Sequence, residues 1–410
     1  MKQTVHWAAQ FREELTGNIL PFWMRHAIDC DNGGFYGTID CDLNVEKEAP
    51  RSAVLNTRIL WTFSAASRLI GSEYRETADR AYDYIVQKFH DSEKGGLYWM
   101  LDYQGNPVST RKQIYAQAFG IYALAEYYRA TNNLEALGLA QRLFRLIEEH
   151  GHDPVFKGYL EAFRRDWQPL DDLRLSDKDL NSPKSMNTHL HLMEAYTNLL
   201  RAWRDPVLEA RLAEVLTLTM DRIVDASTGH FKLFFDERWN ALSDHVSFGH
   251  DIEGSWLIVE AAEVLGDANL IAHARKSAVV MAMAVYEQGL DRDGSLFYEA
   301  DAKGEFIDPK KHWWAQAEAI IGFYNAFQIS GETRFLDASR ATWNYIETKV
   351  LDRVHGEWHA KLSLEGAPLA AHEDSDACLV GPWKCPYHNA RLCYEMIERL
   401  EKQANGKYAL

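Results

Sequence analysis

The sequence predicts an all-α protein, an (α/α)6 barrel of six inner and six outer helices with short β-hairpins and loops at one mouth. Three observations lead there. A glycine–aromatic step recurs six times, each step is followed by a short alternating segment and a turn, and each unit carries one amphipathic and one largely apolar helix. The steps are Gly33-Gly34-Phe35-Tyr36, Gly95-Gly96-Leu97-Tyr98-Trp99, Lys157-Gly158-Tyr159-Leu160, Gly229-His230-Phe231, Gly294-Ser295-Leu296-Phe297-Tyr298 and Gly356-Glu357-Trp358. With Gly34, Gly96, Gly158, Gly229, Gly294 and Gly356 as markers, the spacings are 62, 62, 71, 65 and 62 residues. A period so regular marks a repeat architecture.

Each unit opens on an amphipathic helix, for example Tyr74 to Phe89, whose polar face carries Arg75, Glu76, Asp79, Arg80, Asp83, Gln87 and Lys88. After the step, Gly105, Gly304 and Gly366 mark turns in a hairpin pattern. A second helix then begins near Arg51, Gln113, Lys184, His250, His312 and Pro386, richer in apolar and small residues. One exposed and one buried helix per unit suits a double ring, and closure leaves no end that needs a cap. A long polar connection, residues 163 to 184, is a candidate functional loop. No linker or low-complexity segment divides the chain, so residues 1–410 read as a single catalytic domain.

Composition narrows the function. A net charge of -16 without a basic tract argues against a nucleic-acid partner. No apolar run is long enough for a membrane helix, and the charged N-terminus is unlike a signal peptide. Five cysteines with no C-x-x-C pair fit free thiols in a reducing cytoplasm. With 13 Trp, an acidic chain suits neutral sugars, whose apolar ring faces stack on indoles. The expected partner is a small-molecule sugar, and the expected state a monomer or weak homodimer.

The second-helix starts gather unusual side chains: Asn56 and Arg58; Tyr115 and Gln117; Asn187, His189 and His191; His250 and Glu253; Trp313, Trp314 and Glu318; His388, Asn389 and Arg391. In a closed ring these starts converge on one cavity. Asn187 and His191 share a helix face, which places His191 in the cavity and leaves His189 structural. Trp314 and Glu318 share a face likewise, with Trp313 a candidate for the rim. His250 and Glu253, three apart, are within reach of each other, as a proton-transfer pair or as a plain cap with an ion pair. Trp383 lies in the turn-rich GlyProTrpLysCysPro, a good stacking platform, although each tryptophan could equally be core. A helical H-x-H diverges, and neither H-E-x-x-H nor C-x-x-C occurs, so no metal is expected. Nucleotide loops and a nucleophile elbow are missing too. Two histidines on different inner helices, His250 and His388, suit removal of a proton from carbon and its return from the other face. Hydrolysis of a glycoside would want two placed carboxylates, for which Glu253, Glu318 and Asp179 are the nominees.

The segments NTRILWTFSAA, YAQAFGIYALAEYYRA, SMNTHLHLMEAYTNL, SFGHDIEGSW, HWWAQAEAIIGFYNA and WKCPYHNARLC resemble the cellobiose 2-epimerases of the N-acylglucosamine 2-epimerase superfamily, in matching order from about residue 10 to 400. The resemblance implies an (α/α)6 barrel and cofactor-independent epimerisation at C2 of a reducing-end sugar. It implies that His250 and His388 are the acid/base pair, with Glu253 orienting His250, and that His191 assists ring opening. Arg58 would stabilise an enediolate, with Tyr115, Asn187, Trp313, Trp314 and Trp383 as supporting positions. Glu318 and Asp179 complete the expected substrate-binding set. Where the family often has a proline after the tryptophan pair, this chain has Ala315. Competing readings are an aldose–ketose isomerase of the same superfamily, a glycoside hydrolase on the same barrel, and a non-catalytic sugar-binding protein.

Overall fold

Most of the inner helices are rich in apolar and small residues, and the structure buries them accordingly. In the second one, Ile114 through Tyr127 are buried without a break. The structure is a computed structural model and describes residues 2–301 and 303–404. Among these, twelve long helices alternate as predicted. The outer ones are α1 (2–26), α3 (75–89), α5 (134–151), α7 (206–223), α9 (Ala268–Gln288) and α11 (333–350). The inner ones are α2 (Ala53–Leu69), α4 (Ile114–Thr131), α6 (Met186–Ala202), α8 (Phe248–Leu265), α10 (Trp313–Ser330) and α12 (Tyr387–Ala404). Each inner helix packs on the next, and α12 packs back on α2, which closes the ring. The fold is an (α/α)6 barrel. No described helix is long and apolar enough to cross a membrane.

Local sequence explains why the long loops all lie at one mouth. At the far mouth each inner helix turns directly into the next outer one. Asn132, Gly266 and Gly331 end α4, α8 and α10 in the left-handed conformation. Asn133 and Asp267 then cap α5 and α9 by accepting their first amides. At the near mouth, by contrast, each outer helix runs out through the glycine–aromatic step into short strands before the inner helix begins.

Those strands also join neighbouring units. The residues that enter each inner helix pair antiparallel with the strand after the next unit's step: Arg51 with Leu101, Lys112 with Phe163, Lys184 with Phe235, Val246 with Ala300, Lys311 with Leu362. A bridge between Ile39 and Val380 closes this crown where the chain's first and last units meet.

The register of the repeat differs from the sequence-based one. In every unit the amide of an aspartate closes the turn: Asp29, Asp91, Asp153, Asp225, Asp291 and Asp352 donate to the carbonyls of Gly34, Gly96, Gly158, His230, Ser295 and Glu357. The last three therefore correspond to Gly34, not the preceding glycines Gly229, Gly294 and Gly356. Those glycines take the left-handed conformation one residue earlier, so the glycine slides by one position while the hydrogen bond stays.

Candidate active site

The near mouth opens into a cavity of about 1190 Å³. It is lined by Arg58, Tyr115, Asn187, His191, His250, Glu253, Trp313, Trp314, Trp383 and His388, and by Asp179 from the long loop. Of the residues gathered at the helix starts, Asn56, Gln117, His189, Glu318, Asn389 and Arg391 do not line it. Counting from the residues that lead into each inner helix, Arg51, Lys112, Lys184, Val246, Lys311 and Lys384, three fixed offsets sort the side chains around the cavity. Three residues on come Val54, Tyr115, Asn187, Gly249, Trp314 and Tyr387. Four residues on come His250 and His388, in the fourth and sixth units. Seven residues on come Arg58, Phe119, His191, Glu253, Glu318 and Arg391, five polar groups and one Phe.

His250 and His388 each have Nδ1 engaged, which leaves Nε2 as the free nitrogen. Nδ1 of His250 lies 2.7 Å from Ser247 Oγ. Nδ1 of His388 lies 2.7 Å from Glu318 Oε1, an N–H donating to a carboxylate. Burial, then the charges of His191 and Arg58, pushes His250 down to about 3. Burial, then Arg58 and Arg391, holds His388 well below the usual imidazole range. Both environments favour the neutral imidazole. The Trp314 ring touches both imidazoles, its centroid 4.7 Å from that of His250 and 5.4 Å from that of His388. Gly249 makes room for it: a Cβ there would lie 2.7 Å from the Trp314 ring. Trp313 meets His388 edge-on at 5.5 Å and has Lys384 Nζ over its other contact face at 4.3 Å.

Two sequence-based roles are corrected. Glu253 does not hold His250. It bonds the Arg391 guanidinium and stands 3.9 Å from Nδ1 of His388. The helix places residues three apart on one face, but a buried carboxylate turns to the buried cation at the axis, while His250 turns to the Ser247 hydroxyl. Glu318 does not line the cavity. It lies behind His388, fully buried, and accepts from His388, from Trp256 Nε1 at 3.0 Å and from Arg391 Nη2 at 2.7 Å.

Arg391 is the centre of this floor. Its fork bonds Glu194, Glu253 and Glu318 and the Tyr387 hydroxyl. Burial and the neighbouring Glu318 push Glu253 up to about 7. Burial would raise Glu194 also, but Arg391 and His191 hold it at about 2. His191 Nδ1 lies 3.0 Å from Glu194 Oε2. Glu253, Glu318 and His388 bring three donor atoms within 4.8 Å of one another. A divalent ion there would meet the Arg391 guanidinium, which already lies against both carboxylates.

Arg58 differs from Arg391. It is buried, and no carboxylate pairs with it among the described residues. Its Nη2 donates to Tyr115 Oη at 2.9 Å, its guanidinium lies over the rings of Phe119 and Tyr387, and its Nε has no partner. His189 is structural as expected. Its Nδ1–H donates to the Ser185 carbonyl and its Nε2 accepts the Tyr159 amide, as Gln117 and Gln316 accept those of Leu97 and Leu296. Asp179 accepts the Ser176 amide within its loop. Lys178 of that loop reaches Asp376 across the mouth at 3.2 Å. Trp383 stands 5.9 Å from Tyr115 and 6.2 Å from Trp99. Its replacement by Ala is expected to raise KM for a disaccharide about tenfold, roughly 1.4 kcal/mol of lost binding, with the fold intact by circular dichroism. Unchanged kinetics would assign this ring to packing.

Sequence reasoning missed Ser247, Glu194 and Trp256, and read Arg391 as one inner-helix residue among others. The seven-residue offset was the signal for Arg391, but it is hidden until the register of the repeat is known. For Glu194 there was none, since it lies off that offset.

Residues 34–377 match the N-acylglucosamine 2-epimerase (GlcNAc 2-epimerase) family. The chain is 47% identical over 389 residues to a cellobiose 2-epimerase of Bacteroides fragilis, covering 95% of this chain and 98% of that one. It is 41% identical over 393 residues to a cellobiose 2-epimerase of Ruminococcus albus, covering 95% and 98%. The solved structure of cellobiose 2-epimerase from Bacillus thermoamylovorans superposes with a TM-score of 0.90 at 41% identity, covering 96% of this chain and 99% of that one. With the match spanning most of the barrel and its relatives alike end to end, the chain belongs to the N-acylglucosamine 2-epimerase family.

Proposed function

We propose that the protein is a cofactor-independent epimerase that inverts C2 of the reducing-end sugar of a β-1,4-linked disaccharide, converting cellobiose to glucosyl-mannose and taking lactose or mannobiose as well. The observation that carries this reading is the pair of imidazoles, His250 and His388, at equivalent positions of two units and both against Trp314, with burial favouring the neutral form of each. The relatives' activity on cellobiose supports the choice of substrate.

In the proposed reaction the sugar binds with its reducing end at the axis, stacked on Trp314 and Trp383, and His191 assists ring opening. One imidazole takes the C2 proton through Nε2 and becomes imidazolium. The electron pair left on C2 spreads to O1, giving a cis-enediolate. Arg58, a buried cation with no carboxylate of its own, faces that charge. The negative charge raises the proton affinity of the second imidazole, which takes a proton from solvent at Nε2 and delivers it to the opposite face of C2, while the first imidazolium releases its proton to solvent. Glu318, which accepts from Nδ1 of His388, supports that ring when it is protonated. The Ser247 hydroxyl orients the His250 ring.

The carboxylates weigh against hydrolysis. Glu253 and Glu318 both bond one guanidinium instead of flanking a glycosidic bond from opposite sides. The decisive experiment is incubation with cellobiose in deuterated water. The expected product is the C2 epimer carrying deuterium at C2. A ketose would instead make the protein an isomerase, and glucose a hydrolase. Arg58→Met is expected to lower kcat by about 10² to 10³, the usual effect of losing one oxyanion donor, with a smaller change in KM. A loss confined to KM would make Arg58 a ground-state binding group.

A further inference from the structure

Four of the six units fasten the step to the inner helix by one kind of clamp, and the units carrying His250 and His388 are the two that depart from it. In units one, two, three and five, the aspartate of the turn pairs with the cation that enters the inner helix: Asp29 with Arg51, Asp91 with Lys112 at 3.0 Å, Asp153 with Lys184 at 2.8 Å, Asp291 with Lys311 at 2.8 Å. In unit four the cation's place is taken by Val246, and Asp225 turns to Lys232. There Asp251 accepts the Phe231 amide, as His189, Gln117 and Gln316 accept theirs in other units, and it alone also pairs with a buried His230, both at 2.7 Å. In unit six Lys384 abandons Asp352, which binds His355, and pairs with Glu357. Asp251 directly follows His250. Asn389, bonded to Glu357 at 2.8 Å, directly follows His388.

Glu357 is itself an exception. Its position belongs to glycine in the first three units, and it keeps their left-handed backbone, with φ of 66°, a conformation a glutamate seldom adopts. It is fully buried. Its carboxylate accepts from Trp23 Nε1 at 2.9 Å, from Asn389 Nδ2, from the Trp358 amide and from Lys384. A residue held against its backbone preference at a conserved hydrogen-bonding turn points to a role beyond the turn. The first turn of a helix lacks half its backbone hydrogen bonds, so the start of α12 depends on such side-chain anchors.

We propose that Glu357 is a positioning residue for His388: by accepting from Asn389 it fixes the first turn of α12 and so the imidazole beside Trp314, as the His230–Asp251 pair does for His250. This rests on the reading of His388 as an acid/base group.

The test compares two double variants that lack the ion pair equally. Glu357→Gln with Lys384→Met keeps an oxygen for Asn389. Glu357→Gly with Lys384→Met removes it and relieves the backbone. Positioning predicts that kcat of the Gly variant falls about 10²-fold below that of the Gln variant, the usual consequence of a small misplacement at a reacting centre, with KM values within about threefold. Equal kcat in the two folded variants overturns the proposal, since loss of the ion pair alone would affect both alike. If the Gly variant does not fold, Asn389→Ala removes the other end of the same bond. A kcat-specific loss there supports the proposal, and parental kcat overturns it. All rates are taken on whatever turnover the parent performs. Failure of the epimerase reading would therefore change the product, while failure of positioning would erase the difference between variants.

Discussion

Losing either His250 or His388 is expected to abolish epimerisation in both directions, because each direction needs one base and one acid. A single general acid–base group typically contributes about 10² to 10⁴-fold. With two such groups acting on one carbon, His250→Asn and His388→Asn should each sit at or beyond the upper end. Asparagine keeps much of the shape and can still bond Ser247 or Glu318, so the fold should survive. The two variants need not be equal in partial reaction. The one that retains the imidazole on the face of the departing proton can still exchange that proton with solvent. Deuterium wash-in at C2, followed separately from epimer formation, distinguishes them. A folded variant that epimerises at close to the parental rate would end the two-histidine mechanism and bring Glu253 forward.

Arg391→Met is expected to cost more stability than any other single change in the site. The guanidinium is the one group bonded to Glu194, Glu253 and Glu318 together. Its removal leaves three buried carboxyls without their cation, and breaking a buried pair typically costs about 3–5 kcal/mol. The melting temperature should fall by several degrees, and kcat should fall with it as His388 loses the ordered Glu318 behind it. The pH dependence carries a matching signature. Glu194 is held at about 2 against an ordinary value of 4.5, with burial opposing and Arg391 prevailing. Its stabilising contribution is therefore complete above the unfolded value and is lost as pH falls through that window. In Arg391→Met that acid-side loss should shrink. Parental melting behaviour across this range would show that the floor of the cavity is not held by Arg391.

Much of the barrel was legible in the chain because its signals are local. Helix periodicity, left-handed glycines and capping residues such as Asn133 and Asp267 act within a few residues of themselves. Six repetitions made the pattern audible above chance and implied closure. The motif residues at the inner-helix starts were legible for the same reason: a helix start is a local event, and six of them in a ring can face only one cavity. His189 and His191 were sorted correctly by helix geometry alone.

What failed was everything that depends on which side chain a neighbour meets across the barrel. Spacing put Glu253 beside His250, but a buried carboxylate goes to the nearest buried cation, and that cation, Arg391, comes from a helix more than a hundred residues away. Spacing put Glu318 in the cavity with Trp314, but the same cation, with Trp256 and His388, draws it behind the wall. The glycines fixed the existence of the repeat and misplaced its register by one residue in three units, because the conserved feature is a backbone hydrogen bond from an aspartate amide, to which sequence identity is blind. By itself the sequence determined the helices, their order, their closure and the residues that reach the mouth, all set by short-range preference and burial. The tertiary structure alone decided the charge pairing at the axis: in a buried site the strongest interactions are those between ions, and ions choose partners by distance in space.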